Sequence, residues 1–156
     1  MSMWSKVKEF HKAFGLPVAD TDEYTLPGGI NCGESRQKIV KAMAAATALG
    51  ESTKEGSELS PRVLRVALLA EEFAEYLDAE LRDDKAGIAD ALADMHYIAA
   101  GTEAAYGING KAVFSEVHRS NMAKLGEYGA PIYNEAGKVV KPKGWTPPDI
   151  EKAMKK

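Results

Sequence analysis

The stretch Val63-Leu64-Arg65-Val66-Ala67-Leu68-Leu69-Ala70-Glu71-Glu72-Phe73-Ala74-Glu75-Tyr76-Leu77 decides the reading of this chain. Its first eight residues are apolar apart from Arg65, which predicts a helix buried on most sides. The row Leu64, Leu68 continues at helical spacing through Glu71 to Glu75, and a neighbouring row runs Leu68, Glu72, Glu75. Carboxylates thus prolong the apolar stripe instead of occupying the opposite, solvated face. Ser60-Pro61 opens the helix, with Ser as N-cap and Pro at the first helical position, and the pattern carries it to about Arg82.

Asp83-Asp84-Lys85 reads as a tight connection to a second long helix, from about Ala86 to Tyr106, ended by Gly107. From Ala86 to Ala100 its only acids are Asp90 and Asp94, four apart and so on one face, among Ile88, Ala89, Ala91, Leu92, Ala93, Met95, Tyr97 and Ile98. Asp is a poor helix-interior residue, and two in one apolar helix need a reason. A short connection makes the two helices antiparallel neighbours. Centred near Asp83, it sets Glu72 level with Asp94, and Glu75 level with Ala91, beside Asp90. Centred at Asp84, it shifts each partner by two and brings Glu75 close to Asp94. Both registers bring the two acidic sets to the same height, so that up to five carboxylates, Glu71, Glu72, Glu75, Asp90 and Asp94, face one small volume. Like charges at that range repel and raise one another's pKa values. Hard divalent cations are their natural partners, Mg²⁺ first and Mn²⁺ as the alternative. Glu-Glu-x-x-Glu alone is common on solvated helix faces. The matched Asp pair inside an apolar helix is what decides against that reading.

Outward from this pair, Trp4, Val7, Phe10 and Phe14 mark a first helix from about Met3 to Phe14, stopped by Gly15 and Leu16-Pro17. Residues 17–33 are rich in Pro, Gly and Asn and read as loop. An Ala-rich helix is expected from Glu34 to Leu49, closed by Gly50, then a polar connection over 51–59. A fifth helix runs from about Lys111 to Leu125, closed by Gly126. Pro131 to Val140 reads as a short hairpin turning at Asn134 to Gly137, and Thr146-Pro147-Pro148-Asp149 caps a last short helix. The fold class is all-α: a single domain, a bundle of about five helices with a small C-terminal β-hairpin. Two long helices with one acidic face do not close a core alone. The Ala-rich stretches Ala42 to Ala48 and Ala99 to Ala105 permit close helix contact. The bundle is therefore expected to be completed by a homodimer or homotetramer.

The chain has 156 residues, 45% of them apolar and 28% charged, with net charge −3. That composition is globular, and the negative balance argues against nucleic acid as a partner. The single cysteine, Cys32, has no partner for a disulfide and reads as incidental. No leader-like or bilayer-length apolar run occurs, so no membrane partner is expected and the expected compartment is the cytoplasm. Complementary charge lies in Val117-His118-Arg119-Ser120-Asn121-Met122-Ala123-Lys124, followed by Lys138, Lys141 and Lys143. Arg119, Asn121, Lys124 and Lys141 are the candidates for binding phosphate. His118 reads as a packed histidine. Trp4, Phe10, Phe14 and Trp145 could stack on a base, but core packing is the ordinary role of such residues.

The segments Glu71-Glu72-Phe73-Ala74-Glu75, Ala89-Asp90-Ala91-Leu92-Ala93-Asp94-Met95 and Tyr97-Ile98-Ala99-Ala100-Gly101-Thr102 resemble the all-α nucleotide pyrophosphohydrolases of the MazG-like group. Val7 to Gly15, Val117 to Lys124 and Lys143 to Ile150 look like a phage-associated branch, which would place the protein in the host cytoplasm. Residues from about 18 to 60 fall outside the likeness and read as an insertion. The resemblance implies metal-dependent hydrolysis of a nucleoside triphosphate between the α and β phosphates, giving a monophosphate and pyrophosphate. It implies catalytic roles for Glu71, Glu72, Glu75 and Asp94, and metal ligation by Glu72, Glu75, Asp90 and Asp94. The sequence departs from the family's second motif, Glu-x-x-Asp, because Ala91 stands where the Glu belongs; Asp90 is the nearest substitute. Some phage members of the group act on dGTP, which is the favoured substrate, with dUTP and phosphoribosyl-ATP as the alternatives. A catalytically idle metal- or nucleotide-binding helical module is the reading from another class.

Overall fold

The computed structural model describes residues 1–19, 26, 28–30, 33–53 and 59–155. The described helices are α1 (Met3–Ala13), α2 (Gly33–Glu51), α3 (Pro61–Leu81), α4 (Lys85–Tyr106), α5 (Gly110–Met122) and α6 (Ile150–Met154). They fall into two units. A central unit, Thr25–Tyr106, holds α2, α3 and α4; a terminal unit, Met1–Tyr24 with Gly107–Lys156, holds α1, α5 and α6. Cys32, and parts of the loop expected over 17–33 and of the polar connection over 51–59, lie outside the described residues.

In the central unit α3 is the middle helix, packed on α2 along one flank and on α4 along the other. Ser60 caps α3 as its sequence predicts: the hydroxyl accepts the Val63 amide and Pro61 follows it. Ala67, Ala74, Leu77 and Ala79 of α3 and Ile88 and Ala91 of α4 make the buried apolar set. The small residues let the helices approach closely. The expectation that Val63 to Ala70 is buried on most sides is not met within one chain. Only Ala67 is buried there, while Val63, Leu64, Val66 and Leu69 are exposed, Val66 to 57%. The reason is geometric: two neighbours cover the flanks of α3 and leave its remaining faces open.

Helix α2 does not stop at Gly50 but passes through it to Glu51. Gly50 is buried and serves as a crossing point, not as a cap. A Cβ built there would meet Glu71 Cβ at 2.9 Å and Glu71 Cα at 3.0 Å.

The terminal unit packs α1 and α6 against α5. Phe14 is buried and stacks on Phe10 with ring centroids 4.2 Å apart. Glu9 of α1 meets His118 of α5 at 3.3 Å, which makes His118 a packing residue between helices. Ser120, fully buried, donates its hydroxyl to the Thr146 carbonyl, and Trp145 Nε1 donates to the Ser120 carbonyl. These two bonds tie the C-terminal segment to α5. Trp4 is 59% exposed and therefore no core residue within the chain. Helix α5 ends at Met122, earlier than the expected Leu125 and Gly126, because the chain tightens into Lys124 N to Asn121 O and Leu125 N to Met122 O turn bonds.

The hairpin expected over Pro131 to Val140 does not form a sheet. The described residues there make isolated antiparallel bridges, Leu125 with Pro131 and Tyr133 with Val139. The turn itself is as read: Asn134 Oδ1 accepts the amides of Ala136 and Lys138, and Gly137 takes φ 72°. Pro131 has no amide to donate, and a two-stranded pairing this short has too few ladder bonds to extend.

Gly50→Ala should lower the melting temperature. The helix-propensity gain near a helix end is at most about 1 kcal/mol, whereas overlap with the Glu71 backbone forces α2 and α3 apart at a cost of about 1–3 kcal/mol. A thermal melt equal to or above wild type would contradict this crossing.

Candidate functional site

The connection between α3 and α4 sets the geometry of the acids. Arg82 caps α3; Asp83 takes φ 54°, a left-handed conformation that Asp tolerates better than most residues. Asp84 N donates to Ala79 O and Asp83 N to Glu80 O, closing the helix. Asp84 then starts α4, its Oδ1 accepting the Gly87 amide at 3.0 Å. One residue so ends one helix and begins the next. A Cβ at Gly87 would meet Ala79 Cβ at 3.1 Å, and one at Gly101 would meet Arg65 Nη1 at 3.3 Å. Both pairs are equidistant from Asp83, so the antiparallel register is centred on that residue. Of the two registers open to the sequence, this is the one that sets Glu72 level with Asp94 and Glu75 with Ala91.

The electrostatics follow. The Glu72 carboxyl, half-buried, is held above the usual glutamate range, first by burial and then by the like charges of Glu75, Asp94, Glu71 and Asp90. The four other acids singled out by the sequence therefore all act on Glu72. Ala91 is buried at 2% exposure, so a carboxylate at that position would have to displace packed neighbours. Asp90, beside it, is exposed and lines one cavity with Glu75.

The donor set is all carboxylate oxygen under mutual repulsion, which suits a hard divalent cation. Among the described residues, however, no three acidic, histidine or cysteine side chains converge as a coordination group. Coordination requires rotation of the exposed side chains of Glu75, Asp90 and Asp94, which their exposure leaves room for.

Helical spacing puts Glu71 and Glu75 on the side of α3 opposite Val66, Leu69 and Phe73. The apolar side forms a groove of about 490 Å³ that includes Val66, Leu69, Phe73 and Tyr106, with Arg65 at its edge. The acidic side opens into a cavity of about 440 Å³ reached by Glu75, Asp78 and Arg82 of α3, Met43 and Thr47 of α2, and Asp90 of α4. Sequence reasoning missed Met43, Thr47, Asp78 and Arg82. The continuation of the row from Glu75 through Asp78 to Arg82 was a visible signal for two of them. Met43 and Thr47 depend on how α2 packs.

The phosphate-binding candidates belong to the terminal unit. Lys124 Nζ donates to Asn121 Oδ1 at 2.8 Å, so this pair is brought together. Arg119 is turned onto Glu116, with its Nε and Nη2 donating to that carboxylate at 2.7–3.0 Å. Lys141 lies 4.0 Å over the Trp145 ring, a cation–π contact that occupies one face of the indole.

The phosphoribosyl-ATP pyrophosphohydrolase family matches the chain over residues 34–121, from the start of α2 to the last turn of α5. The chain is also similar to a crystal structure of a protein from Exiguobacterium sp. 255-15 assigned as an NTP pyrophosphohydrolase. The identity is 29%, the TM-score 0.57, and the alignment covers 98% of this chain and 94% of that one. No curated protein matches the sequence significantly. No described helix is long and apolar enough to cross a membrane.

The raised Glu72 pKa has a sign that can be tested. The folded chain holds the Glu72 proton more tightly than the unfolded one. Stability therefore falls as pH rises from the ordinary value of 4.5 through the raised value, and stays lower above it. Glu72→Gln should melt at or above wild type at about pH 7, and the advantage should vanish near pH 4. A variant less stable than wild type by the same margin at both pH values would show that Glu72 carries no such repulsion.

Proposed function

The chain belongs to the phosphoribosyl-ATP pyrophosphohydrolase family and is a pyrophosphohydrolase acting on nucleotides, and we propose that it cleaves a (deoxy)nucleoside triphosphate between the α and β phosphates. What supports this reading above all is the Glu72 carboxyl, which bears the charge of four other acids from two antiparallel helices. Glu72, Glu75, Asp90 and Asp94 would hold a hard cation, Mg²⁺ or Mn²⁺. Bound there, the cation supplies neutralising charge to the phosphate oxygens and acidifies water in the site.

The chain's own residues do the rest. Glu71 or Asp90 takes the proton from the attacking water as its oxygen joins the α phosphorus. The bond from that phosphorus to the α–β bridging oxygen breaks, and pyrophosphate leaves. Asn121 and Lys124, with Arg119 and Lys141, contribute hydrogen bonds and positive charge toward the phosphate chain. Arg119 must first release Glu116 to do so. Among substrates dGTP ranks first, on the likeness of the segments at 7–15, 117–124 and 143–150 to a phage branch of the MazG-like group; dUTP and phosphoribosyl-ATP follow.

The working form is a homodimer or homotetramer. The support is the apolar groove on α3 and α4, whose Val66, Leu69 and Phe73 are exposed at 57%, 39% and 38% in the single chain. Two such helix pairs facing each other make a four-helix bundle and leave the acidic sides outward.

Purified protein with Mg²⁺ or Mn²⁺ should release pyrophosphate and a monophosphate from a nucleoside triphosphate. Glu72→Gln should lose at least about a hundredfold in rate, the scale of a lost electrostatic element. Release of diphosphate and orthophosphate, or an unimpaired Glu72→Gln, would overturn the assignment. Light scattering at micromolar concentration should give a dimer or tetramer mass, and a fully active monomer would contradict the bundle.

A further inference from the structure

Helix α5 ends where a side chain from the C-terminal segment takes over one of its carbonyls. In a helix that ran on, the Ser120 carbonyl would accept the Lys124 amide. Here it accepts Trp145 Nε1 at 2.9 Å, and the Lys124 amide donates to the Asn121 carbonyl at 3.1 Å. The last turn is thereby tightened, and the Lys124 ammonium rests on Asn121 Oδ1 at 2.8 Å. We propose that Trp145 is a positioning residue: its indole N–H, acting through the Ser120 carbonyl, holds Asn121 and Lys124 as one donor patch for the phosphate chain of the substrate. This inference rests on the hydrolytic reading above for the identity of the anion.

Three observations carry it. First, the patch has the chemistry of an anion site. With its oxygen engaged by the ammonium, the Asn121 side chain has only N–H groups left to offer, and Lys124 keeps further N–H bonds to give. Ionised phosphate oxygens accept hydrogen bonds and complement such a patch. Second, the indole is itself held in place. Trp145 N donates to the Pro142 carbonyl at 3.0 Å, Gly144 makes the turn at φ 87°, and Lys141 lies 4.0 Å over the ring. Third, the other bonds from the C-terminal segment to α5 end on side chains. Ser120 Oγ donates to the Thr146 carbonyl at 3.1 Å, the Asp149 amide to Glu116 Oε1 at 3.0 Å, and Arg119 Nη2 to the Pro147 carbonyl at 3.4 Å. These fasten the segment. The indole bond differs from them in engaging the helix backbone, at the carbonyl that decides where the Lys124 amide goes. All of these residues belong to the terminal unit.

The test uses the full chain, with magnesium pyrophosphate as the probe. The tryptophans are Trp4 and Trp145, so Trp4→Phe assigns their indole N–H signals in an NMR spectrum. The Trp145 signal should shift when wild type is titrated with pyrophosphate and stay in place in Lys124→Ala. Trp145→Phe keeps a ring under Lys141 and removes the N–H. It should weaken pyrophosphate binding about fivefold or more and raise KM for the triphosphate likewise, with kcat within about threefold. In a Lys124→Ala background the same change should alter either quantity by less than about twofold, since a residue acting through Lys124 then has nothing left to position. Ser120→Ala loosens the segment but keeps the Ser120 carbonyl. It should lower the melting temperature and leave KM within about twofold of wild type. A wild-type indole signal that pyrophosphate does not move overturns the proposal. So does a Trp145→Phe effect that adds in full to that of Lys124→Ala, or a Ser120→Ala protein whose KM rises as far as that of Trp145→Phe, because Trp145 then only fastens the segment. If the indole responds and the double variant is non-additive in pyrophosphate binding, but no triphosphate is hydrolysed, the hydrolytic reading fails and the positioning role stands. If the triphosphate is hydrolysed while the indole is unmoved, the positioning role fails and the hydrolytic reading stands.

Discussion

Three residues, Arg82 to Asp84, hold α3 and α4 antiparallel in a single register. The chemistry of the central unit depends on that register. A longer or slacker connection would let α4 slide, and a shift of two residues would bring Asp94 beside Glu75 instead of Glu72. The left-handed Asp83 and the double use of Asp84, accepting the Gly87 amide while its own amide closes α3, leave no such freedom. Gly87, set 3.1 Å by its absent Cβ from Ala79, lets the helices stay close just past the turn. The same closeness forces the carboxylates to feel one another, and burial of Glu72 raises the cost. An arrangement that is unfavourable for stability alone makes sense as one kept for binding a cation and a polyanion.

The three-helix layer divides its labour by face. One open side of α3 is apolar, and its Val66, Leu69 and Phe73 stay exposed in the single chain. The other is acidic and carries a cavity bounded by α2. The division follows from helical spacing: Leu69 and Phe73 lie about half a turn from Glu71 and Glu75. An interface on one side and chemistry on the other can then be built on the same helix without competing for its surface.

Much of this was legible in the sequence. Ser60-Pro61 announced α3, and the equal distances of Glu72 and Asp94 from Asp83 announced the acid cluster. What the sequence left open was a matter of neighbours. It allowed two registers, and the positive φ of Asp83 with the Gly87 and Gly101 contacts selects one. Gly50 looked like a stop because glycine often ends helices; the tertiary approach of α2 to Glu71 overrides that signal. The apolar run at 63–70 looked like core because periodicity cannot say whether the covering surface belongs to the same chain. The turn at Asn134 to Gly137 was readable, but its extension into a hairpin was not, since pairing depends on flanking residues that here supply isolated bridges. Arg119 gave no sign of its engagement with Glu116, a contact three residues back on its own helix.

The central claim is that the acids of α3 and α4 form one cation-holding cluster. Mn²⁺ binding to the full chain, followed by electron paramagnetic resonance, tests it without reliance on turnover. The account predicts binding by the wild-type chain and a loss of affinity of about tenfold or more in both Asp94→Asn and Glu72→Gln, since each removes a ligand charge. Wild-type affinity in both variants, with folding intact, would contradict it.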